Sequence, residues 1–463
     1  MLKKKRFIEC VSKRINSGKC DLFVGSGISC ESGMPSWREI LQPMAEDIGV
    51  HLADEEDLPM IAQYIVNENS GNRNVIRTRL MEIFSDEHYA TNRYHVTMHN
   101  MNVSTIWTTN YDHLIEQSMS GGNYCVISCD TDLVQPRNNK EEIEVIKVHG
   151  SIDSDPNEIV LTQQDYDEIL FKKPAIAQRL RDTLIKKSIL FIGYGYNDPD
   201  IRAIMIEAMK LMRDNSQEHY IILLNKKSKE LEKDKRAKKQ KKLRFKLWIK
   251  ELNRIGIREL VVENSDELDE VLKDISLQSR GRNVFVTGSH TVAKLDKGQK
   301  LGRLLAQEEK ICLINGQSDG MGKQILQGFM EECIHQKKDL GKKMRIYPNP
   351  YAANPDYANR AELIPILKKE RRVLMTDVKV FAFFIGGMGT RAEYEVACEC
   401  GCLILPLIAK SKDYSDKLIR EFCSDGMYMG ILKSKVPDYY KILKRHKVPN
   451  VKQLAEAIRR MVF

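Results

Sequence analysis

Four short segments of this chain end in residues whose types could do chemistry. "VHGSID" (148–153) sets His149 beside a glycine, and "TTNYD" (108–112) supplies Asn110 and Asp112. "FVGSGISCESGMPSW" (23–37) supplies Gly25, Ser26, Gly27, Ser29 and Gly33, and "GYGYNDPD" (193–200) supplies Gly193 and Asp198. An imidazole with an ordinary pKa of about 6.5 exchanges protons near neutrality. A carboxamide both donates and accepts hydrogen bonds. Glycines just after a strand let backbone N–H groups close around a pyrophosphate. Each residue also has a local reading. Histidine is often half-buried without chemistry, Asn and Asp favour turns, and Asp198 with Pro199 reads as the N-cap and first residue of a helix.

A second group lies nearer the C-terminus. "FIGGMGTRAEYE" (384–395) carries Gly387, Gly389, Thr390 and Glu393 in the pattern of a strand, a glycine turn and a helix, which again suits a phosphate. "TGSH" (287–290), with Gly288 and Ser289, and "INGQSDGMGKQ" (314–324) are further glycine turns. Arg360 in "YANRAELI" and Arg371 in "KKERRVLM" are the cations available to a bound phosphate, or else partners of surface acids. "CECGC" (398–402) puts Cys398 and Cys402 on one helix face, but no histidine is near and buried small cysteines are expected in place of a metal site.

The elements that must position these residues alternate between two types. "CDLFVGSG", "VSTIWTTN", "EVIKVHG", "SILFIGYG" and "HYIILL" are short β-branched-rich apolar runs ending in turn residues, with helical stretches between them. "GIRELVV" and the helix "SDELDEVLKDIS" close that series. After the polar, turn-prone "LQSRGR" (277–282) a second series begins: "NVFVTGSH", "KICLING", "KMRIYP", "KVFAFFIGG" and "CLILPLIA". The expectation is an α/β protein with two doubly wound, Rossmann-like parallel sheets, in domains 1–281 and 282–463. In such sheets ligands sit outside the carboxyl ends of the strands, where all the segments above lie.

Bulk properties narrow the classes. No apolar run reaches the ~18–20 residues of a membrane span, so no membrane partner is expected. The basic N-terminus is not followed by the apolar stretch of a secretory signal. Eleven scattered cysteines suggest reduced thiols and a cytoplasmic setting. The net charge of +9 is local: residues 226–250 hold 13 Lys and Arg against 3 Asp and Glu. No aromatic platform or reading motif accompanies them, so nucleic acid is not expected, and a solvated face or one meeting an acidic partner subunit is.

Residues 15–275 resemble the sirtuin fold family. Gly25-Ser26-Gly27-Ile28-Ser29 with Ser32-Gly33-Met34-Pro35-Ser36-Trp37-Arg38, Thr108-Thr109-Asn110-Tyr111-Asp112 and His149-Gly150 match its three motifs in order. The resemblance implies NAD handling, with His149 and Asn110 catalytic and Gly25, Ser26, Gly27, Ser29, Asp112, Gly193 and Asp198 binding NAD. Asn110 would hold a water or ribose hydroxyl, His149 would take a proton, and Asp112 would position the nicotinamide ribose or its amide. Deacylating sirtuins carry two Cys-x-x-Cys pairs after the His-Gly, whereas no cysteine occurs here between Cys129 and Cys312. No zinc and no cofactor beyond NAD⁺ as substrate are therefore expected, and water replaces acyl-lysine as acceptor, giving N-glycosidic cleavage of NAD⁺.

The second series resembles the SLOG superfamily, with Ile385 standing where its motif has proline. Gly288, Ser289, Arg360, Arg371, Gly387, Gly389, Thr390 and Glu393 would bind its ligand. The fusion of the two resembles the effector-protein-A family of the bacterial Thoeris anti-phage system. That implies activation by a cyclic ADP-ribose isomer made by a TIR-domain partner protein, abortive infection through NAD⁺ loss, and a homotetramer. A protein deacylase and a non-enzymatic nucleotide-sensing scaffold are the competing classes.

Overall fold

The computed structural model describes residues 3–52, 57–84, 88–119, 124–134, 143–196, 198–213, 216–225, 235–288, 295–316, 320–347 and 361–463. The chain forms two compact units, Met1–Ser279 and Arg280–Phe463.

The first unit is built on seven strands: β1 (Cys20–Val24), β2 (Thr105–Thr108), β3 (Tyr124–Ile127), β4 (Ile143–Lys147), β5 (Ser188–Ile192), β6 (His219–Leu224) and β7 (Ile257–Val262). They lie in the order β3-β4-β2-β1-β5-β6-β7 and every pairing is parallel. Parallel strands must be covered on both faces, and their side chains alternate between the two. Leu22, Val24, Ile106, Leu190 and Ile192 join one core beneath the helices Lys4–Asn16, Arg93–His99 and Ser265–Ser279. Phe23, Trp107, Ile146, Ile189, Phe191 and Ile221 join the other, beneath Pro174–Lys186, Pro199–Met212 and Lys235–Arg254. The edge strand β3 has no counterpart in the sequence reading, because "YCVI" is short and only its last residue is buried.

A third core gathers the helices Trp37–Asp47, Leu58–Glu68 and Asn74–Phe84 around Ile152, Ile159 and Leu161 of the segment after β4. The first of these helices starts at a capping box, Ser36 with Glu39. The loop that carries His149 is thus held between the sheet and a helical layer.

The second unit has β8 (Asn283–Thr287), β9 (Cys312–Asn315), β10 (Met344–Ile346), β11 (Val380–Phe383) and β12 (Leu403–Pro406), in the parallel order β10-β9-β8-β11-β12. The expected doubly wound architecture is present in both units. "LQSRGR" turns at residues 280–282, as its composition suggests. Its first residues continue the helix to Ser279, and Arg280 is buried, its guanidinium donating to the carbonyls of Val378 and Cys400. Five donors in a planar fork allow arginine to be buried when backbone carbonyls accept them.

Candidate active site

Strand order reverses around β1, with β2 on one side and β5 on the other, which opens a crevice at their carboxyl ends. The residues following β1, β2, β4 and β5 face it. Thr108 and Lys147 are register partners, and Asn110 and His149 each lie two residues further on. The four sequence motifs therefore converge on one sheet edge, although distant in the chain.

The glycines of this edge let two loops pack together. Gly25 N–H donates to Ile192 O at 3.0 Å and Gly27 N–H to Gly193 O at 2.9 Å, so neither is left for a pyrophosphate. A Cβ on Gly27 would stand 2.7 Å from Gly193 O, and one on Gly193 only 2.8 Å from Ile28 N. Gly193 also has φ +62°, a conformation that favours glycine. These glycines let the loops after β1 and β5 pack against each other. Ser26 opens the short helix Ser26–Cys30 beside them and is exposed.

Ser29, Asp112 and Asn110 are all buried and form a chain. Asp112 accepts from Leu114 N–H at 3.0 Å through Oδ1 and from the Ser29 hydroxyl at 2.8 Å through Oδ2. Ser29 has one proton and it goes to Asp112, so its oxygen can only accept from Asn110, whose Nδ2 lies 3.1 Å away. That orientation leaves Asn110 Oδ1 buried and without a hydrogen-bond partner. Each Asp112 oxygen accepts one hydrogen bond, and through Ser29 the carboxylate orients Asn110.

His149 is also buried, and its Nε2 lies 3.0 Å from Asp200 Oδ2. Burial disfavours the imidazolium, but the carboxylates of Asp200 and Asp198 outweigh it and raise the pKa above the ordinary value assumed from sequence. Tyr166 packs edge-on against the ring, with centroids 5.1 Å apart, and its hydroxyl donates to Asp198 at 3.3 Å. Asp198 occupies the N-cap position of Pro199–Met212 but makes no capping bond with its side chain. Its carboxyl instead accepts from Tyr166, and burial raises its pKa. The helix-start reading is right for Pro199 and wrong for the Asp198 side chain.

Beneath the crevice Lys147 is buried, 2.7 Å from Glu116, and donates to Asp112 O at 2.6 Å. It pins the loop that carries Asn110. Asp200, Tyr166 and Lys147 were not identified from sequence. Asp200 had a signal, lying two residues after Asp198 in "NDPD"; a lysine inside the apolar run "EVIKV" was the other.

In the second unit the order again reverses, between β8 and β11. Gly387 begins the helix Met388–Glu399 with no side-chain cap, and a Cβ on Gly387 or Gly389 would meet nothing within 4 Å. Thr390 is buried close against Gly386. Gly288 packs against Phe384, the residue after β11. Burial raises the pKa of Glu393, opposed by a hydrogen bond from Thr287 and by the charge of Arg371, and its Oε2 has no partner. The arginine expected beside Glu393 is therefore in its electrostatic reach. Ser289 and Arg360 lie outside the described residues. Cys398 ends on that helix while Cys402 lies beyond its end, so they do not share a helix face, and no group of three or more His, Cys, Asp or Glu among the described residues could hold a metal ion.

Residues 104–246 match the SIR2-like domain family, and residues 267–462 match the Sir2- and TIR-associating SLOG family. The first match spans Asn110, Asp112, His149, Gly193 and Asp198. The chain is 27% identical over 445 residues to the NAD(+) hydrolase ThsA of Bacillus cereus (strain MSX-D12), covering 90% of each chain. It is 29% identical over 451 residues to the NAD(+) hydrolase ThsA of Enterococcus faecium, covering 90% of this chain and 91% of the relative. Over 229 residues, 46% of this chain and 22% of the relative, it is 26% identical to defense-associated sirtuin 2 of Bacillus subtilis.

Proposed function

We propose that this chain, similar over 90% of its length to NAD(+) hydrolases named ThsA, is an NAD⁺ glycohydrolase acting in anti-phage defence. The observation that carries the reading is the buried Ser29–Asp112–Asn110 chain, which presents Asn110 Oδ1 as an unpartnered acceptor at the same sheet edge as His149. A buried acceptor without a partner calls for a donor from the ligand. The hydroxyl of a ribose or of the attacking water supplies one.

The reaction follows from these parts. The bond between the ribose C1′ and the nicotinamide nitrogen breaks, its electron pair leaving with nicotinamide, which departs neutral. Positive charge develops on the ribose as an oxocarbenium ion, by analogy with other glycoside cleavages. Asn110 orients water, a new C1′–O bond forms, and His149 takes the proton. The products are nicotinamide, ADP-ribose and one proton. Base assistance of this kind contributes roughly 10²–10⁴ in rate.

NAD⁺ loss is toxic, and the second unit offers a place for control. The open helix start at Gly387–Thr390, with Gly288, Arg371 and Glu393, suits an anionic nucleotide. A cyclic ADP-ribose isomer is the ligand we assign to it, with Ser289 and Arg360 as further contacts. The description of the second domain's family as TIR-associating supports a TIR-domain protein as its source. Assembly as a cytoplasmic homotetramer would make the response steep.

The test is to incubate the full chain with NAD⁺ and each cyclic ADP-ribose isomer and follow nicotinamide release without acylated peptide. Release that rises with one isomer is expected. Release only in the presence of an acylated peptide would make the protein a deacylase, and none under any condition would make it a sensing scaffold.

A further inference from the structure

We propose that Asp200 is the positioning residue for His149, holding Nε2 through its proton and so committing Nδ1 to accept the proton of the attacking water. This rests on the reading of the site as an NAD⁺ glycohydrolase.

The two side chains meet at 3.0 Å and are each at most 2% exposed. An ionised carboxylate can only accept hydrogen bonds, and a neutral imidazole has a single N–H. Whenever His149 is neutral, and therefore able to act as a base, the proton must be on Nε2 facing Asp200, and the lone pair is on Nδ1. Asp200 stands in the first turn of Pro199–Met212, so its backbone is fixed by a helix of 14 residues. Tyr166 lies edge-on to the ring and restricts its rotation. The arrangement selects one tautomer and one ring orientation, which a lone strand-end histidine could not do for itself.

In the step itself the water proton passes to Nδ1 while the water oxygen bonds to C1′. His149 becomes an imidazolium with Nε2–H still held by Asp200, and the carboxylate stays ionised. The charges facing the ring are Asp200 and Asp198 from the β5 loop and helix, and Lys173, which opposes them; the Tyr166 hydroxyl donates to Asp198. Asp200 therefore favours the charged product of the transfer as well as the geometry before it.

Asp200→Asn separates these effects from folding, because an amide keeps the shape while losing the charge and can either accept from Nε2 or donate to it. In the full-length protein kcat for NAD⁺ cleavage should fall roughly 10²-fold, the lower part of the range for lost base assistance. KM should change by no more than about threefold, since the substrate contacts remain. The acid limb of the kcat profile should move to lower pH, because a negative charge that favours the imidazolium is gone. Asp200→Glu should regain part of the rate. In ¹⁵N-histidine-labelled protein, resonances assigned by their loss in His149→Gln should show the Nε2–H tautomer in the wild type and a mixture in Asp200→Asn. A wild-type acid limb and rate in Asp200→Asn, or an Nδ1–H tautomer in the wild type, would overturn the proposal. Wild-type protein that releases no nicotinamide would instead refute the glycohydrolase reading, and the labelled spectra would still decide the tautomer.

Discussion

At the carboxyl edge of the first sheet a Cβ on Gly27 would stand 2.7 Å from a backbone carbonyl, while at the same edge of the second sheet a Cβ on Gly387 or Gly389 would meet nothing within 4 Å. Both places are glycine turns after a parallel strand at the point where strand order reverses. In the first, glycine allows two loops to touch, the N–H groups of Gly25 and Gly27 are consumed internally, and the side chains proposed for the chemistry are buried and fixed through Ser29, Asp112, Lys147 and Asp200. In the second, glycine leaves a helix start uncovered, and Thr287 and Arg371 are the polar groups that act on Glu393 of that helix. A rigid, prepaired site suits a reaction, and an open helix start suits an anionic ligand that comes and goes.

The largest test of the contrast is at Asn110 and His149, the proposed catalytic pair. Asn110→Ala should lower nicotinamide release by roughly 10²–10⁴ while leaving ligand binding at the second unit unchanged, as measured by calorimetry with the activating cyclic nucleotide. His149→Ala should match it in rate, but it also strands a buried Asp200 carboxylate, which generally costs about 3–5 kcal/mol. A lower melting temperature for His149→Ala than for Asn110→Ala is the expected signature, and equal melting temperatures would argue against the ion pair.

Arg371→Ala comes next. Losing one charge-assisted contact of about 1.5–3 kcal/mol should raise the activating ligand concentration roughly 10–100-fold, with cleavage at saturation unchanged. An unchanged activation curve would remove Arg371 from the signal site.

Glycine substitutions then break the comparison directly. Gly193→Ala or Gly27→Ala should destabilise the first unit by about 1–3 kcal/mol through overpacking, read by chemical denaturation. Gly387→Ala should stay within about 0.5 kcal/mol. Similar losses at both edges would erase the distinction drawn between them.

The smallest effect concerns Glu393. Burial raises its carboxyl pKa, so the native state binds its proton more tightly than the unfolded chain does. Stability from this group is present at low pH and is lost as pH rises through the native pKa. Glu393→Gln should therefore raise the melting temperature slightly at pH 7.5 and leave it unchanged near pH 4.

Much of the architecture was legible because apolar runs of four to six residues between helical stretches admit few arrangements other than parallel sheets. Strand β3 escaped that logic, since an edge strand with one buried residue carries almost no pattern. The motif strings also led to Asn110, His149 and Asp198. The bonding of those residues was another matter: "NDPD" gives no sign that Asp198 meets Tyr166 while Asp200 meets the histidine.

The order of the elements, their apolar faces and the placement of polar residues at strand ends were written in the chain itself, because hydrophobic periodicity and turn chemistry are local properties. What each glycine is for, which oxygen of Asn110 is left open, and which carboxylate holds His149 were decided only by the tertiary structure. Those depend on what stands a few ångströms away across strands more than eighty residues apart in sequence for Ser29 and Asp112, and fifty-one apart for His149 and Asp200. Hydrogen bonds and steric contacts act over such distances in space, and no local pattern of residues encodes them.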